Sequence, residues 1–214
     1  MNFALNEVEA TAKKAARGVG YSWGMAEEAG KATRWLCAHG FDGPKALVKT
    51  LENADQASLD DLAPVSLQGD WHSHGGYLCA LTTGAAMADS ALLWAKHGLV
   101  LRNVIAPAMI LPFAAVSARL LGLPVAVTWG GTSMVFEGSA VSLETSAPEA
   151  LLQNAALMNI QTGGQLGSLQ ALHARAKPAV QDWDTLNRFA ARIYAPATEE
   201  SRLKGAGAGL SDND

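Results

Sequence analysis

The 214-residue chain has little of several things: two cysteines, 7% aromatic residues, 17% charged residues and no run of lysine or arginine. Cys37 and Cys79 form no CxxC pair, so reduced, buried thiols are expected rather than a disulfide framework. A net charge of −4 without a basic stripe leaves nothing to neutralise phosphates, which excludes a dedicated nucleic-acid binder. Long apolar runs are also missing. The most apolar stretch, 99–129, is broken by Arg102, Pro107, Pro112, Arg119 and Pro124, short of the roughly 18 uninterrupted residues that a membrane span needs. The opening MNFALNEVEA carries Glu7 and Glu9 where a secretory leader would be basic and then apolar, so a cytoplasmic location is expected.

What the chain does have is length and alanine. A polypeptide of this size buries roughly 70% of the surface it exposes when unfolded, enough for one domain over 1–214 without staples. Forty alanines favour close helix packing. The pattern reads as helices over 6–53, a mixed sheet over 70–145, and helices with a tail over 146–214. Asn6 with Glu9 has the form of a capping box, Ser22 can cap a second helix that Gly40 ends, and Asp42 with Pro44 starts a third. Residues 77–83, 99–105 and 123–129 are short apolar runs expected as strands, with helices over 85–96 and 112–121 between them. That alternation suggests parallel crossovers, whereas 134–137 and 140–144 after Gly130-Gly131 suggest a hairpin extension. The fold class is therefore α+β, a mixed β-sheet with an N-terminal helical subdomain, with α/β as the alternative. Beyond it, Ser146, Pro148 and Glu149 predict a helix, a short one is expected near 169–176, and Asp182 or Asp184 opens a last helix with Leu186, Phe189, Ala190 and Ile193 on one face. The small, Gly-rich ending from Pro196 is expected as a mobile tail.

Three constellations carry polar detail. In GDWHSHGG, His72 and His74 share one side of an extended segment, as two ligands of one Zn²⁺ must. Asp70 shares that face, but about 13 Å separates the ends of a five-residue strand, so it could orient a ligand only if the chain bends. A His pair in a polar loop before a strand is the plainer account. In GVGYSWG, the free N–H groups at the start of the second helix, with Arg17, Ser22 and Trp23, suit an anion such as carboxylate or phosphate. The same residues also make a tight helix–helix turn with Trp23 plugging the core. In WGGTS, Gly130-Gly131 follows Trp129 at a strand end, where ligands collect in open sheets; a two-residue hairpin uses the same glycines.

The His72-Ser73-His74 segment resembles the Trp-x-His-Ser-His signature of JAMM-type metalloproteases, which implies a zinc hydrolase. The chain departs from that pattern downstream: Thr82 stands at the family's Ser position and Ala85 at its metal-ligating Asp, with Asp89 four residues late. The stretches NEVEA, Lys14 to Gly18, Ser22-Trp23-Gly24, Ala26 to Gly30 and Arg34-Trp35-Leu36, with the ending from Tyr194, resemble a family of bacterial proteins known only as a domain of unknown function. That resemblance implies no activity, cofactor or catalytic residue. The helical front and the PATEESR ending are also similar to the ends of type 2 malate/lactate dehydrogenases, which use a nicotinamide cofactor. Those enzymes carry Asp-Ser-His-Gly where this chain has His72-Ser73-His74-Gly75.

The leading expectation is a small-molecule protein, enzyme or ligand binder, for an anionic metabolite, whose site lies where the N-terminal helices meet the sheet and the tail folds over it. Arg17, Ser22 and Trp23 would hold the ligand; Glu27, Asp70 or His72 would be acid or base. The alternatives are a zinc-dependent hydrolase using His72 and His74, and a non-catalytic structural or interaction subunit, self-association being open to either. No cofactor is specified by the sequence.

Overall fold

The computed structural model describes residues 2–194. The expected tail therefore lies outside the described residues.

The fold is α+β. Three helices open it: α1 (Leu5–Val19), α2 (Trp23–Ala38) and α3 (Gly43–Ala54). Their packing rests on small side chains. Val8, Ala12, Ala15 and Ala16 of α1 and Ala26, Ala29 and Gly30 of α2 are buried, and a Cβ on Gly30 would lie 2.9 Å from the Glu9 carbonyl. Ser22 caps α2 through the Met25 N–H, and Asp42 caps α3 through that of Lys45. The expected capping box at Asn6 does not form. α1 is preceded by β1 (Phe3–Ala4), which pairs antiparallel with β9 (Arg175–Ala176); strand pairing fixes the approach of the chain, and no side chain caps the helix. Phe3 stacks on Trp183 at 4.0 Å, joining this clamp to the last helix, α7 (Val180–Ala191).

The main sheet is mixed. Along one edge of β4 (Leu99–Ile105) lie two short parallel strands, β2 (Asp70–Trp71) and β3 (Leu78–Cys79). On its other side runs β8 (Ala155–Thr162), antiparallel, followed by β5 (Val125–Trp129), β6 (Thr132–Glu137) and β7 (Ala140–Thr145) in an antiparallel series. The parallel crossover expected after the first apolar run is present through α4 (Ala80–Asp89) and α5 (Ala91–Trp94). Residues 80–83 belong to α4 rather than to the strand, which is two residues long. The next crossover, through α6 (Leu111–Leu121), carries the chain past one position, and β8 fills the gap.

Two expected helices are absent as such. Residues 148–151 make only a 3-10 turn, after which 155–162 run as β8; 169–176 contribute a bridge from Leu169 to Ser142 and the short β9. In β8, Met158 and Ile160 are buried while Leu157, Asn159 and Gln161 face water, so its period is two. The sheet is covered by helices on one face and partly open on the other.

A candidate site between α3, α7 and the end of β4

Gly20 closes α1 in the left-handed region (φ 112°), and its neighbour Tyr21 turns inward. The Tyr21 hydroxyl lies 3.2 Å from Cys79 Sγ, tying the helices to β3, and burial drives its pKa far above the ordinary phenol value. The plug is thus Tyr21 rather than Trp23, which is 60% exposed. The Arg17 guanidinium donates to the Tyr21 carbonyl and lies 4.6 Å from the Trp23 ring centroid; Lys13 Nζ is 5.7 Å from the same ring. Lys13 also pairs with Glu27 at 2.7 Å, which holds the Glu27 carboxyl below its usual range. Arg17, Trp23 and Glu27 are therefore gathered on one surface, with Ser22 employed as a cap.

Asp70 and His72 lie elsewhere. Asp70 pairs with Arg102 across the β2–β4 step. The chain leaves the sheet after Trp71, so the extended five-residue segment is not formed. His72 Nδ1 is 3.2 Å from the Asp70 carbonyl oxygen; His74 is exposed; Ser73 between them is buried and donates to the Tyr77 carbonyl at 2.7 Å. Among the described residues no three His, Cys, Asp or Glu side chains converge as a metal-binding set. At the third constellation, Gly130 (φ 50°) and Gly131 (φ 76°) make the two-residue hairpin joining Trp129 to Thr132. A hollow of about 390 Å³ adjoins it, where Trp129 Nε1 donates to the Ala150 carbonyl at 3.0 Å.

A different place concentrates perturbed groups. Lys45, Lys49 and Glu52 recur at i, i+4 and i+7 on α3 and face a hollow of about 220 Å³. Its other walls are Ala106, Leu151, Leu152 and Asp182. Lys49 Nζ is half-buried and donates to the Leu152 carbonyl at 2.8 Å. Burial, and then the charge of Lys45, pull the Lys49 pKa down. Asp182 is 7% exposed, and its Oδ2 is buried without a hydrogen-bond partner. Burial, and then the charge of Asp42, push the Asp182 carboxyl up, with Lys45 opposing. Ala106 sits where β4 gives way to the 107–110 turn and is held at φ 51°, ψ 59°, a left-handed conformation costly for a residue with a Cβ. A second cleft, of about 350 Å³, is lined by Cys37, Asp42, Pro44, His173, Arg175 and Lys177 among others; burial pushes the Cys37 thiol up to about 11.

Sequence reasoning missed this hollow because it singled out none of Lys45, Lys49 and Glu52 and took Asp182, or Asp184, only as a helix start. Ala179, not Asp182, occupies the cap position of α7. The available signal was the i, i+4, i+7 run of long charged side chains on a helix that is otherwise mostly buried.

The fold is α+β, and the hollow beside α3 and α7 has a largely apolar wall edged by charged side chains. Residues 3–79, covering α1 to α3 and the first two strands of the main sheet, match the model of a family described as Protein of unknown function (DUF3726). The expected likeness to an uncharacterised family holds over that stretch. No curated protein matches the chain. Among solved structures, a malate dehydrogenase from Entamoeba histolytica is similar at a TM-score of 0.45 and 14% identity, over 73% of this chain and 49% of that one. The chain spans about half the length of that protein. Among the described residues no helix is long and apolar enough to cross a membrane.

Proposed function

We propose that the protein binds a small anionic metabolite in the hollow between α3, α7 and the end of β4. The observation that carries this reading is the buried Asp182, whose Oδ2 has no hydrogen-bond partner, in the wall of a cavity that two lysines also line. A buried carboxyl without a partner costs folding free energy, and such groups gather where a ligand supplies what the protein does not. Lys45 and Lys49 suit a carboxylate or phosphate. Asp182 suits a hydroxyl or ammonium on the same molecule. For a catalysed reaction, these environments make Asp182 the proton donor and Lys49 the base.

A thermal-shift screen of small carboxylate and phosphate metabolites tests the reading. A ligand at 100 times its Kd should stabilise the wild type by about 2.7 kcal/mol. The stabilisation should vanish in Lys45→Ala/Lys49→Ala and persist in Arg17→Ala. Persistence in the first and loss in the second would move the site to the turn at Arg17, Ser22 and Trp23. That second reading is favoured by the exposed Trp23 indole between two cations and by the partnerless, buried Nε of Arg17.

A further inference from the structure

We propose that Lys49 is an imine-forming lysine and that the metabolite is a small carbonyl compound, an α-keto acid or an aldehyde bearing an anionic group. The inference rests on the hollow proposed above and deepens it.

The geometry supplies the three things such chemistry needs. First, the amine must be presented in a confined space. Lys49 Nζ is fixed by the Leu152 carbonyl at 2.8 Å, and Ala46, Val48, Ala106 and Leu151 make much of the surrounding wall apolar. Second, the neutral form of the amine must be favoured. A lysine desolvated by an apolar wall and placed beside a second cation meets both recognised routes to a reactive amine, and Lys45, one turn back on α3, is that cation. Third, water must leave. Asp182 lines the same hollow, and burial raises its pKa, which favours the protonated form as donor to the departing hydroxyl.

The Lys49 nitrogen lone pair attacks the carbonyl carbon while the C=O π pair moves to oxygen. A proton passes from nitrogen to that oxygen, giving a carbinolamine. Asp182 then protonates the hydroxyl, the C–O bond breaks with release of water, and the nitrogen lone pair closes the C=N bond. The resulting iminium returns its proton to the Asp182 carboxylate. Amine plus carbonyl gives imine plus water, with no change of oxidation state. Lys45 holds the ligand's anionic group. The cavity, at about 220 Å³, suits a compound of pyruvate size rather than a dinucleotide.

The experiment uses the full chain with pyruvate as the carbonyl probe and cyanoborohydride to reduce any imine to a stable secondary amine, read by intact mass and peptide mapping. One reduced pyruvate per chain, on Lys49, is expected, formed on the order of tenfold faster than on any exposed lysine such as Lys31 or Lys177. Lys49→Arg should abolish it. Asp182→Asn should slow it by on the order of 100-fold, while Lys31→Arg, at an exposed position outside the hollow, should leave the rate unchanged. Lactate, which lacks the carbonyl, separates the two claims, with binding read by ligand-detected NMR. If pyruvate and lactate both bind and no adduct forms, or the label spreads over exposed lysines, the imine inference falls and the binding site stands. If neither binds, both fall. The mapping on the unaltered chain decides the matter even if a variant fails to fold.

Discussion

Gly18, in the last turn of α1, is the point of closest approach between the first helix and the last. A Cβ there would stand 1.8 Å from the Phe189 carbonyl oxygen, 2.8 Å from its carbon and 3.3 Å from Arg192 Cβ. The obstructing atom is backbone, and it accepts the Arg192 N–H at 3.1 Å, so no rotamer change can clear it. Gly18→Ala therefore requires α7 to retreat by about 1.2 Å before the contact reaches the 3.0 Å that real Cβ atoms respect. A gap of about 0.5–1 Å already forfeits a quarter to a half of the dispersion energy of the contacts it opens, here those of the buried Trp183, Leu186 and Phe189, and this one is wider. Overpacking costs about 1–3 kcal/mol; alanine's better helix propensity returns at most about 1 kcal/mol. Because backbone must move, we expect a net loss of about 2 kcal/mol, or roughly 4–8 °C in Tm for a chain of this length. Gly24→Ala is the matched control: it lies within α2 with nothing within 4 Å of the added Cβ, and should gain up to about 1 kcal/mol. Thermal and urea unfolding followed by circular dichroism measure both. A Gly18→Ala protein melting at or above wild type would refute the packing argument.

Asp182 makes stability fall with pH. Its folded pKa is raised, so the native state holds the proton after the unfolded chain has lost it; that contribution is fully present below the unfolded carboxyl range and is lost as pH rises through the folded value. Asp182→Asn should consequently raise Tm at pH 7 and lose that advantage as the pH falls below about 4, the unfolded carboxyl range; melting curves across pH giving a constant offset would contradict it. Asp42→Ala removes a side-chain cap and should cost about 1 kcal/mol, whereas Asn6→Ala, at a helix start with no such bond, should change urea stability by less than about 0.5 kcal/mol. His72→Ala and His74→Ala, at exposed loop positions, should melt within about 0.5 kcal/mol of wild type. Stoichiometric zinc lost together with His72 would instead favour the hydrolase reading.

The helical front was legible because its signals are local. Ser22, Asp42-Pro44 and Gly40 act through their own turns, and the structure uses each of them as such. Asn6 failed because the competing interaction is remote: β9 reaches β1 from 170 residues away. β8 was misread for a different reason. Leu151 and Leu152 after a Pro-Glu start resemble a helix, while the decisive Met158-Asn159-Ile160-Gln161 alternation is short and follows them. Its slot between β4 and β5 is a matter of sheet order, which no local pattern encodes. Arg17, Trp23 and Glu27 do come together, as their spacing on two neighbouring helices implies. The Asp182 hollow needs α3, α7 and the end of β4 at once, and that is a tertiary fact.

The charges around this hollow couple ligand to proton. The charge of Asp42 opposes the ionisation of Asp182, Lys45 stands as the countercharge, and Lys49 and Glu52 complete the titratable groups on the wall. An anion arriving beside Asp182 adds a further negative charge at close range and pushes that carboxyl further toward its neutral form, while the same anion favours the charged form of Lys49. Both effects draw protons in. Binding should thus take up protons where these two groups titrate, and by linkage affinity should weaken as pH rises through that range. Calorimetric titration with lactate in two buffers of different ionisation enthalpy measures the uptake directly. Equal enthalpies in the two buffers, at pH values spanning the carboxyl and the lysine ranges, would mean that the ligand sits away from Asp182 and Lys49, and would return attention to Arg17 and Trp23.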